Sequence, residues 1–336
     1  MKALVLQQPG QLVMEDCENP IVEPDEILIK TKAATICTSD LNDIRDNPFG
    51  IDLPMIMGHE GSGVVAAVGN KVEGFSIGDR VVAHPVIPCG QCDSCRRNLT
   101  HLCDNMGHLA INKGGVFAEY FSIRSDRVRK IPEGLSFAMA SLMEPICVCM
   151  EAIERASTDQ NSNVLIIGDG PFGLIISKLL KKYNPKKVIL TGRHQFRMDF
   201  AEADIAINER EVDNVLDAII EATGGVGVDS AILCVGSSLA VDTAIASLRA
   251  RGTLSVFSAV QPNPTIDLFK VHVKELNICG SCNDMNYMDE ALLMLSDNSL
   301  GLDQLVTHEL PFSDWEKAFN LAAKGKDEAI KVSLVL

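Results

Sequence analysis

Four cysteines crowd one short stretch, Cys89, Cys92, Cys95 and Cys103 in PCGQCDSCRRNLTHLC. Three recur every third residue, so one small loop can aim three sulfurs inward, and the fourth returns eight positions later to close a tetrahedron. With zinc–sulfur bonds of about 2.3 Å, four thiolates fill the coordination sphere and leave no place for substrate, which makes such a site structural. A second set is scattered: Cys37 in ATICTSDL, His59 and Glu60 in MGHEGSG, and Glu144 in SLMEPI. One thiolate, one imidazole and a carboxylate are what a catalytic zinc uses when it keeps an exchangeable position. Taken singly, each has a blander reading, as a small core cysteine or a hydrogen-bonded His-Glu surface pair.

A third pattern handles phosphate rather than metal. In NVLIIGDGPFGLIISKLLKK, residues 163–182, Gly168, Gly170 and Gly173 stand in G-x-G-x-x-G spacing, with Pro171 and Phe172 between the last two. The first glycine allows a tight turn, the second lets backbone approach a pyrophosphate, and the third lets a helix pack close to a strand, its N-terminus facing the anion. Glycine triplets also occur in ordinary turns. Here the apolar β-branched run before it and the apolar helix pattern after it, opened by a proline, supply the context that a dinucleotide site requires.

These motifs need a scaffold of two kinds. Glu26 to Lys32, Gly63 to Val68 and Arg80 to Ala83 are short strand patterns between Pro and Gly breaks, predicting a β-rich first domain over 1–145. From 146 to 283 strand and helix alternate, as a parallel sheet with crossovers requires: Lys187 to Thr191, Val228 to Val235, Gly252 to Ser258 and Leu276 to Ser281 are the strands after the glycine loop. IEATGGVG, Ile220 to Gly227, reads as a connecting loop, Met285 to Ser296 as an amphipathic helix, and Lys331 to Leu336 as a final strand in a C-terminal segment, 284–336. A chain of 336 residues exceeds what one core usually supports. Its 46% hydrophobic and 22% charged residues exclude a disordered class, and a net charge of −15 argues against a nucleic-acid partner. With no apolar run suited to a signal peptide or a membrane span, a cytoplasmic location is expected, where eleven cysteines favour metal over disulfides.

In the order TICTSDL, GHEGSGVVAAVG, VEGFSIGDRVV, the four-cysteine loop, GGVFAEYF, MEP, GDGPFG and VTHELPFSDWEKAF, the chain resembles the zinc-dependent medium-chain dehydrogenase/reductase family of alcohol and sorbitol dehydrogenase type. The resemblance implies a GroES-like β-barrel catalytic domain, a Rossmann domain with a doubly wound parallel sheet, and an active-site cleft between them. It carries catalytic zinc onto Cys37, His59 and Glu60, with Glu144 as the fourth ligand or a supporting partner and the two carboxylates alternating on the metal. A glutamate at 144 is similar to the polyol dehydrogenase branch. Ser39 matches the hydroxyl that takes the substrate proton, and Asp40 is the residue beside it. At Asn42 the chain departs from relatives with a proton-relaying histidine, since Asn is not protonated at neutral pH. Phe49, His59, Asn283 and Tyr287 are expected at the cleft.

The implied chemistry is hydride transfer between a polyol or secondary alcohol, or the matching ketone, and a nicotinamide cofactor, with two zinc ions per chain and a homodimer or homotetramer. An NADPH-dependent aldehyde reductase of the same family and a non-catalytic nucleotide sensor are the alternatives. NADP is favoured over NAD. NAD-specific relatives carry Asp where this chain has Gly192, and Arg193, His194 and Arg197 follow, so that Arg193 can clamp a 2′-phosphate. The arginines can instead cover the adenine or sit in solvent.

Overall fold

Two habits of sequence build two kinds of sheet. Strands with one wet face alternate, while parallel strands covered on both faces run continuously apolar. The computed structural model describes residues 1–324 and 328–336. These form two compact units, one of Met1–Pro145, Met285–Asn298 and Asp303–Leu336, the other of Ile146–Asp284 and Ser299–Leu302.

The first unit is β-rich. A seven-stranded sheet runs Val128–Lys130, Arg80–Ala83, Glu60–Val68, Glu26–Thr35, Lys331–Val335, Val306–Pro311, with Tyr120–Arg124 also paired to Glu26–Thr35. A smaller sheet joins Gln11–Asp16, Lys2–Gln8 and Met55–Ile56. Leu4, Leu6, Ile27, Ile29, Phe117 and Phe121 are buried in its core, each contributing about 1.5–3 kcal/mol by leaving water. Register matters most at Thr35, which faces Glu60 on one side and Ser333 on the other. The helix Thr38–Asp46 follows at once, capped at Cys37, so the strand end and the helix start bring Glu60 and Cys37 close together. The late helix is shorter than its sequence pattern: it spans Met288–Leu295, because Asn286 adopts a left-handed backbone (φ 76°) and interrupts helical geometry before it.

The second unit is a six-stranded parallel sheet in the order Ile205–Asn208, Lys187–Gly192, Asn163–Ile167, Val228–Leu233, Leu248–Val256, Asn277–Gly280. This is the doubly wound order, in which strand succession reverses beside Asn163–Ile167. All five residues of that strand are buried. Ile205–Asn208 is a strand that the sequence pattern does not reveal, being short and flanked by acidic residues. The expected loop at Ile220 to Gly227 is partly helix, since Val215–Ala222 is helical and only then do Gly224, Gly225 and Gly227 turn with positive φ. No helix among the described residues is long and apolar enough to cross a membrane.

Candidate functional site

The cysteine loop gathers its sulfurs. Cys89, Cys92, Cys95 and Cys103 place their Sγ atoms within 4.8 Å of one another. Cys92 and Cys103 Sγ are 3.8 Å apart, the edge expected of a tetrahedron with bonds of about 2.3 Å. The backbone supports sulfur as an anion: Cys89 Sγ accepts from Gln91 N–H at 3.5 Å and Cys92 N–H at 3.4 Å, Cys92 Sγ from Cys95 N–H at 3.4 Å, and Cys103 Sγ from Cys89 N–H at 3.2 Å. The Gln91 and Cys92 amides lower the Cys89 thiol to about 6, while burial pushes Cys95 up to about 12. A thiol held that high by burial is one that a cation, replacing the proton, would relieve. The donor set fits a closed zinc site.

The second set also converges. Cys37, His59 and Glu60, all buried, bring one ligand atom each within 4.8 Å of the others. Cys37 ends the segment leaving Glu26–Thr35 and caps the next helix, whose Asp40 reaches back to accept from Cys37 N–H at 2.9 Å. Asp40 also lies 3.0 Å from His59 Nδ1, fixing the ring and leaving Nε2 for a ligand, the usual support of a metal-binding histidine. Burial by itself would lower the His59 pKa, but Asp40 and Cys37 raise it well above the ordinary value, so a cation arriving there would displace a proton. Glu60 is fully buried between two donors. Lys331 Nζ contacts Oε1 at 2.7 Å and Oε2 at 2.5 Å, and the Thr35 hydroxyl donates to Oε2. Lys331 is itself 2% exposed; burial opposes its charge, and the Glu60 and Cys37 anions more than restore it, raising its pKa. The Cys37 sulfur, the His59 ring and the Glu60 carboxylate offer a divalent cation one soft, one nitrogen and one oxygen donor, with the Glu144 carboxylate also near Lys331.

Glu144 stands outside this trio. It is buried in the first turn of Met143–Arg155, and Lys331 senses its charge. Ser39 is half-buried on the helix after Cys37, and Asn42, also half-buried, lies one turn on. Asp43, beside Asn42, is buried, and its Oδ1 has no partner among the described residues; burial and then Asp40 raise it to about 6. His108 packs its ring 5.9 Å from that of His59 and is lowered to about 3, chiefly by burial. Phe49 is 62% exposed. Lys331 and Thr35 as partners of Glu60 have no local signal in the sequence, Lys331 lying 271 positions away. Asp40 does have one, since three residues after an N-cap is where a side chain reaches back.

The glycine loop divides its work. Gly168 has φ +121°, and a Cβ on it would meet Val235 Cγ1 at 2.6 Å. A Cβ on Gly173 would fall 1.9 Å from Gly168 O, so only glycine lets the helix sit so close. Around Gly170 nothing lies within 4 Å of a built Cβ, which leaves open space at the start of Pro171–Tyr183 for an anion. Phe172 stacks obliquely on Phe257 at 5.0 Å. At the end of Lys187–Gly192 the structure differs from the bare motif, because an acid lies there after all. A Cβ at 192 would fall 2.5 Å from Asp169 Cβ and 2.7 Å from its Cγ. Asp169 Oδ2 accepts from Arg193 N–H at 2.8 Å and His194 N–H at 2.6 Å, and lies 3.0 Å from His194 Nδ1. Arg193 Nε donates to Glu209 at 2.8 Å, and Arg197 is half-buried on the short helix Gln195–Met198.

The chain is similar to known proteins along its whole length. The family model described as an alcohol dehydrogenase GroES-like domain matches residues 23–133, and that of a zinc-binding dehydrogenase matches 171–297. Sorbitol dehydrogenase of Bacillus subtilis (strain 168) is 32% identical over 340 residues, covering 99% of this chain and 96% of that protein. Two solved structures superpose along the whole chain. An E. coli CFT073 protein described as a short chain alcohol dehydrogenase complexed with NADH gives a TM-score of 0.93 at 27% identity, covering 100% of this chain and 99% of that one. The 2R,3R-butanediol dehydrogenase of Bacillus subtilis gives 0.90 at 27%, with the same coverage.

Proposed function

The chain belongs to the zinc-dependent medium-chain dehydrogenase/reductase family, of alcohol and sorbitol dehydrogenase type, and from that membership we propose how its residues divide the work of alcohol and polyol oxidoreduction. The observation that carries the reading is the buried trio Cys37, His59 and Glu60, whose ligand atoms lie within 4.8 Å of one another. Zinc, when bound, supplies the Lewis-acid pull that makes an alcohol acidic near neutral pH, and a nicotinamide dinucleotide supplies the hydride acceptor. Cys37 and His59 hold the metal, and Asp40 keeps the His59 ring turned toward it. Glu60 is the carboxylate ligand, with Lys331 and Thr35 sharing its charge, and Glu144 is its alternate. Ser39 Oγ takes the substrate proton. Asn42 has no ionisable group to pass that proton on, which leaves Glu144 or a water chain as its way out. Cys89, Cys92, Cys95 and Cys103 hold a second, structural zinc.

Metal chemistry belongs to 1–145 with 284–336 packing back on it, and dinucleotide binding to 146–283, where Gly168, Gly170, Pro171, Phe172 and Gly173 form the phosphate turn. A chain of eleven cysteines with four gathered on one loop suits a reducing, cytoplasmic setting in which thiols bind metal, and the family supports a homodimer or homotetramer. The case for NADP(H) is the missing side chain at Gly192 with Arg193 beside it; against it stand the Glu209 partner of Arg193 and the Asp169 carboxylate.

The test is turnover of a panel of polyols and secondary alcohols with each nicotinamide dinucleotide, alongside zinc analysis of protein purified without chelator. Oxidation of at least one polyol or secondary alcohol and close to two zinc ions per chain are expected. Cys37→Ser should abolish turnover and leave one zinc. A zinc-replete wild type that turns over no alcohol or polyol, or a Cys37→Ser protein as active as wild type, would sink the reading.

A further inference from the structure

We propose that Asp169 makes this chain selective for NAD(H), acting from inside the glycine loop in place of the acid that strand-end residue 192 does not carry. The inference rests on the reading of the second unit as a dinucleotide site. In such sites an acidic side chain at the end of the second strand accepts from the adenosine ribose and repels a phosphate there. At Gly192 there is no side chain, but the space that one would occupy is filled. Built Cβ atoms at 192 come within 2.5 Å of Asp169 Cβ, 2.7 Å of Cγ and 2.9 Å of Oδ2. Gly192 is therefore the residue that makes room for a carboxylate arriving from the neighbouring strand's loop.

The two oxygens of that carboxylate are treated differently. Oδ2 is held by the Arg193 and His194 backbone N–H groups, at 2.8 and 2.6 Å, and by the His194 ring at 3.0 Å. Oδ1 has no partner among the described residues, on a side chain only 10% exposed. An anchored carboxylate with one oxygen left over is a preorganised acceptor for a ribose hydroxyl. A 2′-phosphate, carrying about −1.5 to −2 charge, would face that anion at close range. The nearest fork of donors does not offset this repulsion, because Arg193 Nε is already paired with Glu209, whose own N–H is bonded to Gly192 O at 2.8 Å. Arg193 is thus drawn toward an acid of the same edge through its Nε, and its charge is shared with Glu209.

Direct binding tests this without turnover. Dissociation constants for NADH and NADPH are read from nicotinamide fluorescence, and for AMP and 2′,5′-ADP, which carry only the adenosine half, by calorimetry. Wild type should bind NADH at least about tenfold more tightly than NADPH, a difference of about 1.4 kcal/mol. Asp169→Asn should shrink that ratio by about tenfold or more, mainly through tighter NADPH, and 2′,5′-ADP should gain on AMP in step. The double variant Asp169→Gly with Gly192→Asp moves the acid to the strand end and should restore the preference for NADH. A wild type that favours NADPH would overturn the proposal. So would an Asp169→Asn protein whose affinities fall equally for both cofactors, the signature of a residue that only caps the turn. If wild type binds neither dinucleotide nor either adenosine probe, the assignment of the unit itself falls, which is a separate result.

Discussion

Replacing Lys331 by methionine isolates the ion pair beneath the trio. The Lys331 ammonium and the Glu60 carboxylate are 2% and 0% exposed, so solvent screens neither, and methionine retains most of the volume while removing the charge. Deleting one member of a buried pair strands the other, at a cost of about 3–5 kcal/mol. Thr35 still donates to Glu60 and softens the loss, which sets the lower end of that range as the expectation. For a unit of this size each kcal/mol moves the midpoint by roughly 2–4 °C, so the first transition should fall by roughly 6–12 °C. The Lys331 pKa is raised in the folded protein, so its contribution is complete below about pH 10.5 and lost only as pH climbs through the higher folded value. The deficit of Lys331→Met should accordingly be constant from pH 6 to 9. Adding Glu60→Gln removes the stranded charge, and the double variant should regain most of the lost stability. Differential scanning calorimetry of chelator-treated protein reads all three, because Glu60 is also the carboxylate offered to zinc. A single variant within about 2 °C of wild type, or a double variant no better than the single, would refute the reasoning.

Asp43→Asn should stabilise the zinc-loaded protein at neutral pH. Burial first, and the Asp40 charge second, raise Asp43 from 3.8 to about 6, so its contribution favours folding only below about pH 4 and is lost as pH rises through 6; the full effect is about 3 kcal/mol at most. Melting at pH 7.5 and pH 4 should show a gain that disappears in acid, and an equal gain at both would contradict it. Cys92→Ser removes both a ligand and the sulfur cap of Asp93–Arg96, and should halve the zinc released to a colorimetric chelator and lower the melting temperature. Retention of both metals with unchanged melting would show that the four cysteines are not a site.

What the sequence reveals is what lies close along the chain. The glycine triplet and the cysteine loop each complete their geometry within about twenty residues, so spacing alone carries them. The doubly wound sheet follows because apolar runs like Val164 to Ile167 can be buried on both faces only in a parallel sheet. Ile205–Asn208 is missed since four residues at a sheet edge, with two half-buried and one exposed, leave hardly any apolar run. Lys331 looks like any strand-edge lysine until the sheet brings it against Glu60. Asp169 hides differently. It sits in the open middle of a motif whose flanking glycines draw the attention, and its role appears only where the next strand ends.

The pairing of Glu60 with Lys331 also bears on how the protein can be made at all. The contact closes 271 residues of chain, and for a flexible loop of that length the entropic cost is about 5 kcal/mol. Everything between includes the whole second unit, so the first unit is interrupted by a domain that can fold earlier than its host. During N-to-C synthesis Glu60 emerges long before its counter-charge, and the catalytic half matures last although most of it is translated first. A fragment ending at residue 145 is thus no autonomous domain. It would lack the strand Lys331–Val335 that pairs with Ala33, Ala34 and Thr35, and it would leave that stretch as an open edge for another unfinished copy.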